Sequence, residues 1–272
     1  MRPVAEAVFP RPIGSLILSL SSAGFFERSI LIGSWVMAVY GELYGVSYVL
    51  RTLDLDFAVE VAHPRVRLRA DVEGLISGLG FTGFFAAGGW KKFTGEGYEV
   101  EFFVHRSGGR NEEPRALPEW GINALPLPFI RMLLDFSQPV ALDTGASFRI
   151  PRPEAYFLHK LLISPRRQAK EKGKRDLDQC AALMGVLDHD TIRKVLASLR
   201  LGPRTRRALA SSAEAIGFPL QKSPLHNSAL QTQPSATPAT AATAEPRPTA
   251  LPLAIPGPPH KAPAWQRTRN QV

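Results

Sequence analysis

The sequence predicts an α/β fold over residues 1–150, a helical domain over 151–217 and a disordered tail over 218–272. Three observations carry this. Up to Ile150, short apolar runs bounded by glycine alternate with segments of helical character. After Pro151 the pattern becomes wholly helical. After Gly217 it dissolves into Ala, Pro, Thr, Gln and Ser, with eleven of the 24 prolines of the chain, too little apolar surface to repay the entropy of ordering.

Residues 13–24 read as a first helix closed by Gly24, and Ser29–Gly33 as a short buried strand. Ser34–Leu43 reads as a helix ending near Gly45. A strand follows from Leu50 to about Val61. Asp71 is a capping-type residue for a helix to Leu79, stopped by Gly80. Phe81–Ala87 and Trp90–Thr94 form a predicted hairpin through Gly88-Gly89, and Gly95-Glu96-Gly97 is a tight turn before the strand Tyr98–Val104. Ser107–Glu119 reads as a loop, Pro126–Leu134 is ambiguous with a short helix as its one reading, and Val140–Leu142 and Ser147–Ile150 are short strands around Asp143-Thr144-Gly145. Beyond Pro151, Pro153–Ile163 has proline and Glu154 in its first turn, favourable to a helix start. Lys174–Met184, Asp190–Leu199 and Arg204–Ala215 are the remaining predicted helices. No internal repeat is visible.

The chain has 272 residues and a formal net charge of +9. The tail supplies +4 of this (Lys222, Arg247, Lys261, Arg267 and Arg269 against Glu245), leaving about +5 on the folded part. That excess suits nucleotides or RNA without specifying either. The single Cys180 excludes an intramolecular disulfide framework and multi-cysteine zinc sites. No apolar run approaches the roughly 20 residues of a membrane span. Ile13–Ala23 has the length of a signal-peptide core but runs on through Gly24-Phe25-Phe26 without a clean cleavage site. A cytoplasmic protein with no membrane partner is expected.

The chemistry centres on Leu53-Asp54-Leu55-Asp56-Phe57. On a strand, Asp54 and Asp56 share one face, while Leu53, Leu55 and Phe57 take the other and can be buried. Two acids on one face suit a divalent cation, since hard cations take carboxylate oxygens; a solvated strand end is the plain alternative. Gly33-Ser34 sits where a strand gives way to a helix, a place for phosphate, although serine is also an ordinary N-cap. In Tyr98-Glu99-Val100-Glu101-Phe102, Glu101 is the favoured inward acid, being flanked by apolar residues, with Glu99 on the same face.

Gly-Ser after a strand, Asp-x-Asp on the next strand and one acid on a later strand resemble the nucleotidyltransferase superfamily of the DNA polymerase beta type. The lead-in Arg51-Thr52 is similar to members reading Arg-x-Thr-x-Asp-hydrophobic-Asp. Further on, Pro151-Arg152-Pro153, His159-Lys160-Leu161 and Lys172-Gly173-Lys174-Arg175-Asp176-Leu177 resemble bacterial nucleotidyltransferase-like proteins related to abortive-infection toxins. The resemblance covers about residues 25–190. It implies a mixed β-sheet flanked by helices, with Asp54, Asp56 and Glu101 as catalytic residues holding two Mg2+ ions (Mn2+ as substitute). It also implies a nucleotide site formed by Gly33, Ser34, Arg51, Thr52, Lys160 and Lys172. Lys160 is the expected cation for the β- and γ-phosphates, with Lys172 or Lys174 as substitutes. His159 reads as a packing residue, and His63 and His105 carry no signal.

The expected reaction is transfer of a nucleoside monophosphate from an NTP to an acceptor hydroxyl on tRNA or other RNA, a protein or a small molecule. A toxin role with a cognate antitoxin as partner follows from the resemblance alone. The basic run Arg166, Arg167, Lys170, Lys172, Lys174 and Arg175 could contact RNA phosphates. The rival reading is a non-catalytic nucleotide- or RNA-binding module on the same fold.

Overall fold

The computed structural model describes residues 3–61, 71–86, 88–106, 113–218 and 220. All of them fall within one compact unit, Met1–Pro224. The predicted tail lies outside the described residues except at its start. There, Phe218 is buried and packs its ring against Phe157, with centroids 4.8 Å apart.

In chain order the helices and strands are α1 (Arg11–Ser22), β1 (Ser29–Ile32), α2 (Trp35–Tyr44), β2 (Asp54–Val59), α3 (Val72–Gly78), β3 (Thr82–Phe85), β4 (Lys91–Gly95), β5 (Tyr98–His105), β6 (Arg115–Leu117), β7 (Ile122–Leu127), α4 (Ile130–Asp135), β8 (Ser137–Ala141), β9 (Ser147–Pro151), α5 (Pro153–Ile163), α6 (Lys170–Leu183), α7 (His189–Ser198) and α8 (Pro203–Ala215). Short 3-10 turns join several of these.

Seven of the strands form one mixed sheet in the order β1-β2-β5-β4-β3, with β7 added to β5 and β6 to β7. β1 runs antiparallel to β2, and β2 parallel to β5. β5 is shared along its length: its first residues pair antiparallel with β4, its last parallel with β7. β8 and β9 form a separate antiparallel pair.

Two devices fix helix ends. Gly45 closes α2 in the left-handed conformation at φ 71°, its N–H donating to the Gly41 carbonyl. Asp71 caps α3, accepting from the Gly74 N–H at 2.9 Å.

Differences from the sequence reading are local. The strand expected from Leu50 begins at Asp54, and Leu53, expected to be buried, is 61 % exposed, because it precedes the first paired residue. β6 lies in the stretch read as loop, β7 runs from an unassigned stretch into the ambiguous one, and the short helix there starts only at Ile130. Pro126 hid β7 from the sequence pattern. It is tolerated there because only the end of β7 pairs with β5 and only its start pairs with β6. α6 starts four residues before the expected Lys174.

The core of the sheet is aromatic. Phe57 and Phe102 are paired across β2 and β5, and their rings stack at 5.7 Å. Phe25 meets both rings edge-on, at 5.4 and 6.0 Å, and Phe93 meets Phe102 at 6.2 Å. α5 is buried along nearly its whole length, packed against helices α4, α6, α7 and α8 and against strand β9.

A candidate carboxylate site on the sheet face

The burial of one face of β2 and β5 dictates what the other face presents. Leu55, Phe57, Val100 and Phe102 are all fully buried. A slip of one residue would expose this whole set, so the register is strongly held. In that register Asp54 lies opposite Glu99, and Asp56 opposite Glu101. Residues paired across two strands project to the same face. Four carboxylates from two parallel strands therefore crowd one patch, an arrangement that like-charge repulsion disfavours unless a cation joins it.

The Gly33-Ser34 turn abuts this patch. β1 pairs Ile32 with Asp56, and the chain turns at Gly33 with φ +71°. A Cβ at Gly33 would overlap Asp56 Oδ2 and fall 2.9 Å from its Cγ. Only glycine allows both this backbone conformation and this approach. Ser34 then stands as the N-cap of α2, yet its side chain makes no capping bond. Its Oγ instead accepts a hydrogen bond from Gln179 Nε2 at 2.9 Å. The Tyr156 hydroxyl lies 3.1 Å from the Gly33 carbonyl and 2.9 Å from Gln179 Oε1, so α5 and α6 together brace the turn. The first N–H groups of α2 open beside the carboxylates, the end of a helix that favours anions.

The electrostatics of the patch are those of acids short of partners. Burial, then Glu101 and Asp54, push the Asp56 carboxyl up to about 7, against the pull of Lys160 and Arg167. Burial and Glu101 also raise Asp54, while Lys172 counters. No described side chain donates a hydrogen bond or forms an ion pair with either aspartate carboxylate. The other two acids are held. Lys92 Nζ lies 3.1 Å from Glu99 Oε2 and 2.8 Å from Glu101 Oε1, and Trp90 Nε1 donates to Glu101 Oε1 at 3.2 Å. Burial would lower the Lys92 ammonium, but its bonds to Glu101 and Glu99 outweigh this and raise it.

Of the cations expected on phosphates, Lys160 is placed otherwise. It is 5 % exposed and its Nζ donates to Asp176 Oδ1 at 2.8 Å. Arg167 Nε takes the other oxygen of Asp176 at 2.7 Å. Burial would raise the Asp176 carboxyl, yet Lys160 and Arg167 overcome this and hold it below the usual range. Lys172 is exposed on α6, and its field reaches Asp54. Lys170 and Lys174 are also exposed, whereas Arg166 donates to Thr205 Oγ1 and Arg175 to the Arg51 carbonyl. Arg51 itself is exposed. Thr52 Oγ1 accepts the Asp54 N–H at 3.2 Å, so it serves the entry to β2. His159 is buried; burial, then Lys160, depress it to about 3, which keeps it a neutral packing residue.

The residues that sequence reasoning missed are the bracing ones: Gln179, Tyr156, Asp176, Lys92 and Trp90. Two signals were available. Lys172, Asp176 and Gln179 are spaced four and three apart, one stripe of a helix. Trp90 and Lys92 alternate on a strand, so they share a face.

The donor set fits Mg2+ in chemistry: hard carboxylate oxygens, two of them on aspartates that no described donor satisfies. It is not assembled around one point, since among the described residues no three His, Cys, Asp or Glu side chains are gathered for an ion. Asp54 and Asp56 share one face of β2, and Glu101 is held by Lys92 and Trp90 on its other side.

No helix among the described residues is long and apolar enough to cross a membrane. A search of curated proteins finds no match. Among solved structures, the chain is similar to an antigenic nucleotidyltransferase-like protein from Paracoccidioides brasiliensis, at 18 % identity and a TM-score of 0.39, covering 74 % of this chain and 93 % of that one. A likeness so distant supports no inference. The family model described as nucleotidyltransferase matches residues 11–199, which include the Gly33-Ser34 turn, the carboxylate patch and the bracing helices α5 and α6. By that match the chain belongs to the nucleotidyltransferase family.

Proposed function

We propose that the protein moves a nucleoside monophosphate from an NTP to an acceptor hydroxyl, with Mg2+ held by Asp54, Asp56 and Glu101. The observation that carries this reading is the register of β2 on β5. It sets two aspartates, without partners among the described side chains, opposite two glutamates and beside the Gly33-Ser34 turn. When bound, the metal supplies charge neutralisation for the attacking and departing oxygens of an in-line displacement. The chain's own residues do the rest. Gly33 lets the Asp56 carboxylate close against the turn, Ser34 and the first N–H groups of α2 offer donors to the phosphates, and Lys172 adds positive charge from the rim. The new bond joins the acceptor oxygen to the α-phosphorus. The bond from that phosphorus to the bridging oxygen breaks, pyrophosphate departs, and the hydroxyl proton passes to solvent.

A second reading is favoured by one observation: Glu101 is engaged by Lys92 and Trp90. A chain that never released it would bind nucleotide without turning it over. Incubating the purified protein with each α-labelled NTP, Mg2+ or Mn2+, and cellular RNA or protein separates the two. Label transfer that disappears in Asp54→Ala and Asp56→Ala supports the enzyme. Nucleotide binding without transfer, indifferent to those substitutions, supports the binding module.

A further inference from the structure

Lys92 lies one residue beyond the pairing of Phe93 with Val100, on the face that carries Glu99 and Glu101. Its side chain is 19 % exposed, so its pairing with Glu101 is shielded from bulk water and stronger than a surface ion pair. Trp90, two residues earlier on the same face, adds a second tether to Glu101, and its ring lies 5.9 Å from the Lys92 ammonium. Lys92 is on β4 and Trp90 immediately precedes that strand, and β4 lies on the side of β5 away from Asp54 and Asp56 on β2. The aspartates, by contrast, have no cation in contact among the described residues.

We infer that Lys92 is a positioning residue for Glu101, holding its carboxylate on the β4 side of the patch so that Glu101 joins Asp54 and Asp56 only by exchanging the lysine ammonium for a divalent cation. This rests on the metal-binding reading above and adds to it the residue that sets the affinity. Lys92 also shields Glu99 from Glu101, which stand two apart on β5 with like charge. A purely shielding lysine and an exchanging one differ in the effect of removing it.

The test uses the full chain and Mn2+ binding, read from the free-ion signal in electron paramagnetic resonance. Lys92→Met is expected to tighten Mn2+ binding by about tenfold, since a competing cation has gone, while Lys92→Arg does not tighten it. Lys172→Met removes a charge that acts on Asp54 through space alone and gains less. In the Glu101→Gln background, Lys92→Met is expected to gain nothing, because the pair acts as a unit. Unchanged or weaker binding in Lys92→Met overturns the inference. So does a gain no larger than that of Lys172→Met, or one that persists with Glu101→Gln. If wild type binds Mn2+ and Lys92→Met behaves like it, the positioning role alone falls; if no form binds Mn2+, the metal reading falls with it. A second measurement needs no Lys92 variant. Mg2+ should change the tryptophan emission of wild type by breaking the Trp90–Glu101 bond, and that change should vanish in Trp90→Phe. An identical response in both overturns the exchange.

Discussion

Asp56 Oδ2 occupies the space that a Cβ on Gly33 would need, so the turn and the acid are fitted to each other. The contact joins the proposed phosphate end of the site to its metal end without any intervening residue.

Gly33→Ala should therefore separate stability from binding. The atom in the way is the tip of a side chain, which can rotate, so the fold should survive. The left-handed backbone at φ +71° costs an alanine about 1–2 kcal/mol, a modest fall in melting temperature. The rotation displaces one of the two aspartate ligands, and Mn2+ binding should fall by at least tenfold. Calorimetric melting and Mn2+ titration on the same sample check both parts.

Gln179→Leu tests the brace on Ser34. It removes the donor to Ser34 Oγ and the acceptor near the Tyr156 hydroxyl, both inside a residue 2 % exposed. Leaving buried polar groups unpaired costs about 1–3 kcal/mol. The expected outcome is a raised KM for the nucleotide with a smaller change in kcat, since Ser34 loses its orientation while the carboxylates keep theirs. A steady-state comparison in the labelled-NTP assay measures this, and an unchanged KM would detach Ser34 from nucleotide binding.

Much of this is legible in the sequence, and the parts that are not share a physical character. The alternation Leu55, Phe57 against Asp54, Asp56 settles the face of β2 from sequence alone, and the same holds for Val100 and Phe102 against Glu101 on β5. The helix α5 is readable to the residue because proline opens it. Which strands lie side by side is not derivable from local pattern: the Asp56–Glu101 pairing joins residues 45 apart along the chain. The fate of Lys160 is equally hidden, because a lysine on a helix reads as solvent-facing until the burial of α5 and the position of Asp176 are known.

Lys160 and Asp176 should behave as a buried pair. Asp176→Asn leaves the Lys160 ammonium buried without its anion, a loss of about 3–5 kcal/mol. Replacing both, with Lys160→Met and Asp176→Leu, should cost less than Asp176→Asn alone, since it removes both buried charges. Denaturant unfolding of the two variants decides the order. If the single variant proves the more stable, Lys160 is not anchored by Asp176 in solution.

Stability against pH should show Asp56 running against its neighbours. The metal-free folded chain holds Asp56 near 7, above the roughly 4 of an unfolded aspartate. Its contribution is thus complete at acid pH and lost as pH rises through 7. Asp176 has the opposite sign: its carboxyl is lowered on folding, so its contribution is lost as pH falls. His159 adds to that acid loss. The unfolded imidazole takes a proton near 6.5, which the folded one refuses until about 3, so stability declines between those values as pH drops. The net curve mixes the three, and Asp56→Asn isolates one. With EDTA present, wild type should lose melting temperature relative to Asp56→Asn as pH rises from 5 to about 8. Adding Mg2+ with an NTP should reverse that trend in wild type only, because a metal ligand must be deprotonated and binding then grows with pH. Parallel curves for the two proteins, with and without metal, would mean that the Asp56 carboxyl is ionised across the whole range and that the four acids on the sheet face do not crowd one another.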